Sequence, residues 1–165
     1  MRKAMFIGRF QPFHHGHLHA IENIIERYGF VVIGVGSSQE KGTMENPLSF
    51  EHRKHVIETV MEKHGFRGQY KIFPIPDLYD DKKWVSYCLK EHFDVIVSGN
   101  EWVQKCFSGI KEVAQPDFLR REELQATIIR GKIINNEEWE HLVPEEEIEL
   151  LHKYEIVNTL IKAKK

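Results

Sequence analysis

Two cysteines in 165 residues, Cys88 and Cys106, are too few for a disulfide framework and too far apart for a close pair of metal ligands. Such scarcity suits a reducing compartment. No apolar run approaches the length that spans a bilayer. After Met1-Arg2-Lys3 only five uncharged residues precede Arg9, too short for the core of a secretory signal. The expected location is the cytoplasm. Positive charge is not in excess either: Lys+Arg 23 against Asp+Glu 25 gives a formal charge of -2. That excludes a global field able to hold a nucleic-acid backbone or an anionic membrane, so neither is expected as a partner and any phosphate binding must be local. Repeats, low-complexity tracts and Gly/Ser linkers are also lacking, and one domain over residues 1–165 is expected. What is present is a globular composition, 41% hydrophobic and 29% charged, in a chain long enough to bury a core without staples.

The pattern that recurs is an alternation of short apolar runs with helical stripes. Ala4 to Gly8, Phe30 to Gly36, Gln69 to Ile75 and Asp94 to Ser98 have strand length and no polar alternation, as strands covered on both faces do. Between them, Leu18, Ile21, Ile24 and Ile25 form one stripe that Gly29 would stop, and Ser49 would cap a helix carrying Val56, Ile57, Val60 and Met61 up to Gly65. Trp84, Val85, Cys88 and Leu89 mark a third helix. The expected fold is α/β: a Rossmann-like, doubly wound parallel sheet with helices on both faces, over about residues 1–113. About residues 114–165 read as a mainly helical C-terminal part. There Ile128 to Ile134 is ambiguous, and Pro144 followed by Glu145, Glu146 and Glu147 starts a helix expected to run to about Ala163.

Chemistry concentrates in Gly8-Arg9-Phe10-Gln11-Pro12-Phe13-His14-His15-Gly16-His17, which joins the first strand to the first helix. Ligands of such sheets bind beyond the C-terminal strand ends, where the strand order reverses. The unpaired N–H groups of the following helix favour an anion, and Gly8 lets backbone approach it. His14 and His17 are spaced so that both imidazoles reach one anion as donors, and Arg9 adds a fixed charge. Two other readings of the segment stand beside phosphate binding: a solvated histidine loop, and a metal site built on His14, His15, His17 and His19. Neither Gly34-Val35-Gly36-Ser37-Ser38-Gln39 nor Gly36 to Gly42 completes a dinucleotide fingerprint or a P-loop.

The segment contains the H-x-G-H signature of the nucleotidylyltransferase superfamily. Its G-R-F-Q-P lead-in resembles the archaeal-type nicotinamide mononucleotide (NMN) adenylyltransferases. Further matches follow in order. Ser37-Ser38-Gln39 resembles a Ser-Ala-Gln, and Asn46-Pro47 with Arg53 an Asn/Asp-Pro and Glu-Arg block. Trp84-Val85 matches a Trp-Val, Ser98-Gly99-Asn100 a Ser/Thr-Gly-Asn, and Thr127 with Arg130 a Ser-Gly-Thr-x-x-Arg helix start. Departures are Gln125-Ala126 in place of Ser-Gly, Glu45 in place of a Lys or Arg, and Asp81 in place of an Asn.

The resemblance implies transfer of the adenylyl group of ATP to NMN, giving NAD and pyrophosphate. It places His14 and His17 on the ATP phosphates and Arg9 and Arg130 on the polyphosphate charge, with His14, His17 and Arg130 the catalytic set. Thr127 belongs to a second helix-terminus cradle. Gly8, Phe10, Gly16 and the Ser98-Gly99-Asn100 turn complete the ATP site. Trp84 is the platform for the nicotinamide ring, with Asn46 and Asp81 beside it, although by pattern alone Trp84 reads as core. Mg²⁺ is expected to arrive with ATP, bridging phosphates and water, with no metal-binding residues of the protein's own. Relatives of this type often assemble as homo-oligomers, which is the expectation here. Two alternatives remain: an adenylyltransferase for another phosphorylated acceptor, such as nicotinic acid mononucleotide, or a non-catalytic nucleotide-binding module.

Overall fold

A strand that is apolar at every position has two faces to cover. In the computed structural model, which describes residues 1–165, both are covered. β1 (Lys3–Gly8) sends Ala4 and Phe6 into one core and Met5 into another. β2 (Phe30–Val35) likewise divides Val31, Ile33 and Val35 from Val32, and β4 (Val95–Val97) divides Val95 and Val97 from Ile96. The first core is closed by α1 (His15–Tyr28), α2 (Phe50–Lys63) and the C-terminal helices, the second by α3 (Asp81–Cys88) and α4 (Glu101–Phe107). Each fully buried Val or Ile contributes roughly 1.5–3 kcal/mol, so the two-sided strands supply much of the drive to fold.

β3 (Tyr70–Pro74) and β5 (Glu112–Ala114) complete a five-stranded parallel sheet in the order β3-β2-β1-β4-β5. Ala4 of the central strand lies opposite Val31 on one side and Val95 on the other. The order turns round between β1 and β4, and that junction positions the site. The helix boundaries follow local chemistry. Ser49 Oγ accepts from the His52 N–H at 3.2 Å to start α2, and α1 stops at Gly29 with φ 91°.

Three features differ from the sequence reading. β5, with only Glu112, Val113 and Ala114, has no pattern of its own and exists through its pairing with β4. The ambiguous Ile128 to Ile134 run is helical, within α5 (Ala126–Ile134). The C-terminal helix is two: α6 (Glu145–Lys153) and α7 (Ile156–Lys164), broken where Glu155 takes a left-handed φ of 54°. The break lets Tyr154 stack on His52 at 3.8 Å while Ile156 and Leu160 turn into the first core. No helix is long and apolar enough to cross a membrane.

Glu147, in the first turn of α6, is 0% exposed, and neither carboxylate oxygen has a hydrogen-bond partner. Burial, then the charge of Glu146, pushes its carboxyl well above the usual range. Below the unfolded-state value of about 4.3 both states hold the proton and nothing is lost. As pH rises toward the folded-state value only the unfolded chain ionises, and stability falls. Glu147→Gln is therefore expected to raise the melting temperature at pH 7–8, by the equivalent of about 1–3 kcal/mol, with the gain vanishing near pH 4. Calorimetric melts across that range check it, and a gain that does not change with pH would refute the account.

Candidate active site

The loop after β1 delivers the two histidines by a reciprocal hydrogen-bond exchange. His14 is the N-cap of α1. Its Nδ1 accepts from the backbone N–H groups of Gly16 at 3.1 Å and His17 at 3.3 Å. His17 answers through its own Nδ1, which accepts from the His14 N–H at 3.1 Å. This is a capping box with histidine in both roles. The rings stack, with centroids 3.6 Å apart and planes at 22°. Gly16 makes that possible, since a Cβ there would lie 2.9 Å from the His14 ring.

The exchange fixes the chemistry of both rings. An Nδ1 that accepts from backbone leaves the ring proton on Nε2, so each neutral imidazole keeps one free donor. Burial and the neighbouring His15 lower the His14 pKa to about 4, and burial followed by His14 lowers that of His17 well below the ordinary value. Both are neutral donors at pH 7. The His17 ring also meets the edge of Phe10 at 4.7 Å and lies 5.4 Å from Phe13.

His14, Gly16 and His17 line a cavity of about 260 Å³ with Phe6, Gly99 and Gln125. Its remaining wall is a strap missed at the sequence level: Pro116, Asp117, Phe118, Leu119, Arg121 and Leu124. The Arg121 guanidinium sits 4.1 Å above the Phe118 ring, and a Cβ on Gly99 would fall 2.6 Å from Phe118. The strap has no periodicity to read. The Arg120-Arg121 pair shortly before Thr127 was the one available signal.

The other expected residues divide into three groups. Arg9 is exposed at the mouth of the loop, and its charge acts on both Arg53 and Arg130. Arg130 is buried, donating from Nη1 to the Gln11 carbonyl at 2.9 Å and from Nη2 to Thr127 Oγ1 at 3.4 Å. Burial, then Arg9, lowers its pKa, while the Glu45 carboxylate opposes the shift. Thr127 lies in the first turn of α5, whose N-cap Gln125 makes no side-chain capping bond. The first-turn N–H groups lack intrahelical partners.

In the second group the polar atoms serve the fold. Ser98 Oγ accepts from the Asn100 N–H at 3.1 Å, and Asn100 Oδ1 caps α4 through Trp102 and Val103. Phe10 is buried against Gly8, leaving its backbone for a ligand.

No residue of the third group lines the cavity, and neither do Arg9, Arg130, Thr127, Ser98 or Asn100. Trp84 is 6% exposed in the second core, with the Trp102 ring tilted over it at 4.5 Å. Trp102 is held in turn by an Nε1–H bond to Asp81 Oδ1 at 3.1 Å. A ring stacks on Trp84 only where Trp102 gives way. Asn46 keeps a buried Oδ1 without a partner.

Residues 5–149 match the cytidylyltransferase-like family. A nicotinamide-nucleotide adenylyltransferase of Pyrococcus abyssi is 37% identical over 164 residues, 97% of this chain and 88% of the relative. One from Methanococcus aeolicus is 39% identical over 145 residues, 86% and 83% of the two chains. Among solved structures, a bifunctional NMN adenylyltransferase/ADP ribose pyrophosphatase from Francisella tularensis superposes with a TM-score of 0.84 at 26% identity, covering 98% of this chain and 53% of that one. A second structure of that bifunctional protein, complexed with AMP and a Mn ion, gives 0.81 at 25% identity over 98% and 52% of the chains. The chain thus spans about half of that longer protein. The chain belongs to the nicotinamide-nucleotide adenylyltransferases of the cytidylyltransferase-like family.

Proposed function

We propose that the chain transfers the adenylyl group of ATP to the phosphate of NMN, forming NAD and pyrophosphate. The observation that carries this reading is the pair of neutral imidazoles, each with Nδ1 engaged by backbone and Nε2–H left to a cavity at the sheet's switch point. An NMN phosphate oxygen attacks the α-phosphorus of ATP as the bond to the β,γ-pyrophosphate breaks. The nucleophile is already an anion, so no base is required. Catalysis is alignment and neutralisation of charge growing on the leaving group.

In this reading the His14 and His17 donors and the first turn of α5 at Thr127 meet the phosphates from two sides. Arg9 and Arg130 supply full charges, and Gly99 and Gly16 leave room for the nucleotide. Trp84, Asp81 and Asn46 belong to the NMN end. The polar part of the cavity wall is four side chains with nitrogen donors, His14, His17, Arg121 and Gln125, and one carboxylate, Asp117, a balance that suits a polyphosphate. A divalent cation, Mg²⁺ in this reading, would keep its phosphate and water ligands and lower the charge on the departing pyrophosphate.

The decisive assay incubates the protein with ATP, Mg²⁺ and NMN, or nicotinic acid mononucleotide in parallel, and follows pyrophosphate and dinucleotide. NAD formation is expected, and no pyrophosphate with either acceptor would overturn the proposal. His17→Ala is expected to lower turnover about 10²-fold, as loss of a preorganised donor does. Stability should fall by only about 0.5–2 kcal/mol, the worth of a cap. Urea unfolding alongside the kinetics checks both, and normal turnover would make His17 a capping residue alone.

Glu45 places a carboxylate close enough to act on Arg130. At about 8 Å and an effective dielectric near 40, one unit charge is worth roughly 1 kcal/mol. Glu45→Lys is therefore expected to lower a substrate KM several-fold at low salt, with the gain shrinking as ionic strength rises. Unchanged KM values at both salt levels would place Glu45 away from the phosphates.

A further inference from the structure

Arg53, near the start of α2, is 1% exposed and is the largest of the fully buried side chains. No carboxylate pairs with it. Nη1 donates to the carbonyls of Arg9 at 2.9 Å and Gly36 at 2.8 Å, Nη2 to that of Ser37 at 3.1 Å, and Nε to that of Ser49 at 3.3 Å. The fork therefore ties together the loops that leave β1 and β2, two neighbouring parallel strands, at the end of the sheet where the phosphates are placed. The nearest carboxylate, Asp77, is occupied: Ser37 Oγ donates to one oxygen at 3.1 Å and Gln39 Nε2 to the other at 2.8 Å. Burial of an unpaired guanidinium is expensive, several kcal/mol even after relaxation. An apolar side chain of the same volume would serve a purely structural role better.

The two loops also share an anomaly. Phe10 has φ 55° and Ser37 has φ 46°, left-handed conformations that cost a non-glycine residue roughly 1–3 kcal/mol each and persist only when surroundings over-determine them. Each follows a peptide whose carbonyl Arg53 holds, Arg9–Phe10 and Gly36–Ser37. Carbonyl and N–H lie on opposite sides of a trans peptide. Drawing the Arg9 and Gly36 carbonyls inward therefore turns the Phe10 and Ser37 N–H groups away from Arg53. Neither of these N–H groups has a partner among the loop backbone hydrogen bonds.

We propose that Arg53 is a positioning residue for adenylyl transfer: its buried fork holds the Arg9–Phe10 and Gly36–Ser37 peptides in strained conformations that present Arg9 and the two loop N–H groups to the substrate's phosphates. The proposal rests on the adenylyl-transfer reading and adds to it a residue that never touches substrate. It requires the planar fork and is not met by charge alone, because a lysine reaches one or two carbonyls where the guanidinium reaches four.

The test compares wild type with Arg53→Lys and Arg53→Met, each checked by thermal melting. It measures kcat and KM for ATP and NMN separately, and calorimetric binding of inorganic tripolyphosphate. Arg53→Lys is expected to melt as a folded protein, lose about 10²-fold in kcat as misplaced reacting groups do, and bind tripolyphosphate about tenfold more weakly. The KM for NMN should stay within about twofold. Wild-type kcat and tripolyphosphate affinity in a folded Arg53→Lys would overturn the proposal, as would equal losses for NMN and ATP. Should neither variant fold, amide spectra of the wild-type protein decide: tripolyphosphate is expected to shift the Phe10 and Ser37 amide signals, and their standing still would refute the positioning role. Because tripolyphosphate binding needs no acceptor, these measurements hold even where wild type makes no NAD, and the two proposals fail separately.

Discussion

The site depends on a hydrogen-bond exchange between two side chains and the first turn of one helix. His14 gives its Nδ1 lone pair to the Gly16 and His17 N–H groups of α1, His17 gives its own to the N–H of the N-cap His14, and each thereby retains a proton on Nε2. The same bonds that start the helix set the tautomer of both rings. A proton arriving on either Nδ1 would break the box, and burial makes that charge unfavourable as well. Serine or aspartate would cap this helix equally well. Histidine caps with one ring nitrogen and keeps a rigidly placed donor on the other, so one residue pair begins α1 and lines the cavity.

Around this pair the loops are interlocked through Gln11 and Arg130. Gln11 is fully buried and exchanges two bonds of 2.8 Å with the Leu48 backbone, while its carbonyl receives Arg130 from α5. Three chain segments distant in sequence, the β1–α1 loop, the approach to α2 and α5, are thus fixed relative to one another by side-chain bonds to main chain. A rigid frame of this kind is what alignment-driven phosphoryl chemistry demands, because misplacement by about 1 Å costs as much as losing a catalytic group.

Much of the frame was legible in the sequence, and the reasons are local. Strands β1, β2 and β4 show as apolar runs because both their faces are buried, and α1 and α2 show through their stripes and through Gly29 and Ser49. What stayed illegible is set by tertiary contact. β5 has three residues and no pattern, and only its neighbour makes it a strand. The Pro116–Leu124 strap wraps the cavity without periodicity. The break at Glu155 sets an acidic residue in a left-handed conformation because Ile156 and Leu160 must reach the core. The histidines themselves stood out, yet their tautomer follows from ring orientation, which spacing does not give. Trp84 presented both of its readings in advance, core stripe and ligand platform. The structure adds that Trp102, which no pattern singled out, lies over it.

The electrostatics follow one rule across the site: cations are held by neutral acceptors. Arg53 is bound by four carbonyls and Arg130 by a carbonyl and a hydroxyl. Burial lowers the pKa of Arg53, to about 10, and that of Arg130, and the charge of Arg9, free at the surface, adds to both shifts. A carboxylate at either buried arginine would have stabilised it more cheaply. It would also have cancelled the charge that a polyphosphate meets, leaving geometry without field. Carbonyl dipoles hold a guanidinium in place while leaving its full unit of charge to act outward. In the proposed reading, the repulsion of Arg9 with Arg53 and with Arg130 becomes part of the affinity, because an anion placed beside Arg9 offsets it. Glu45, the one carboxylate acting on Arg130, works against that design from an exposed loop, where the solvent dielectric keeps its effect small.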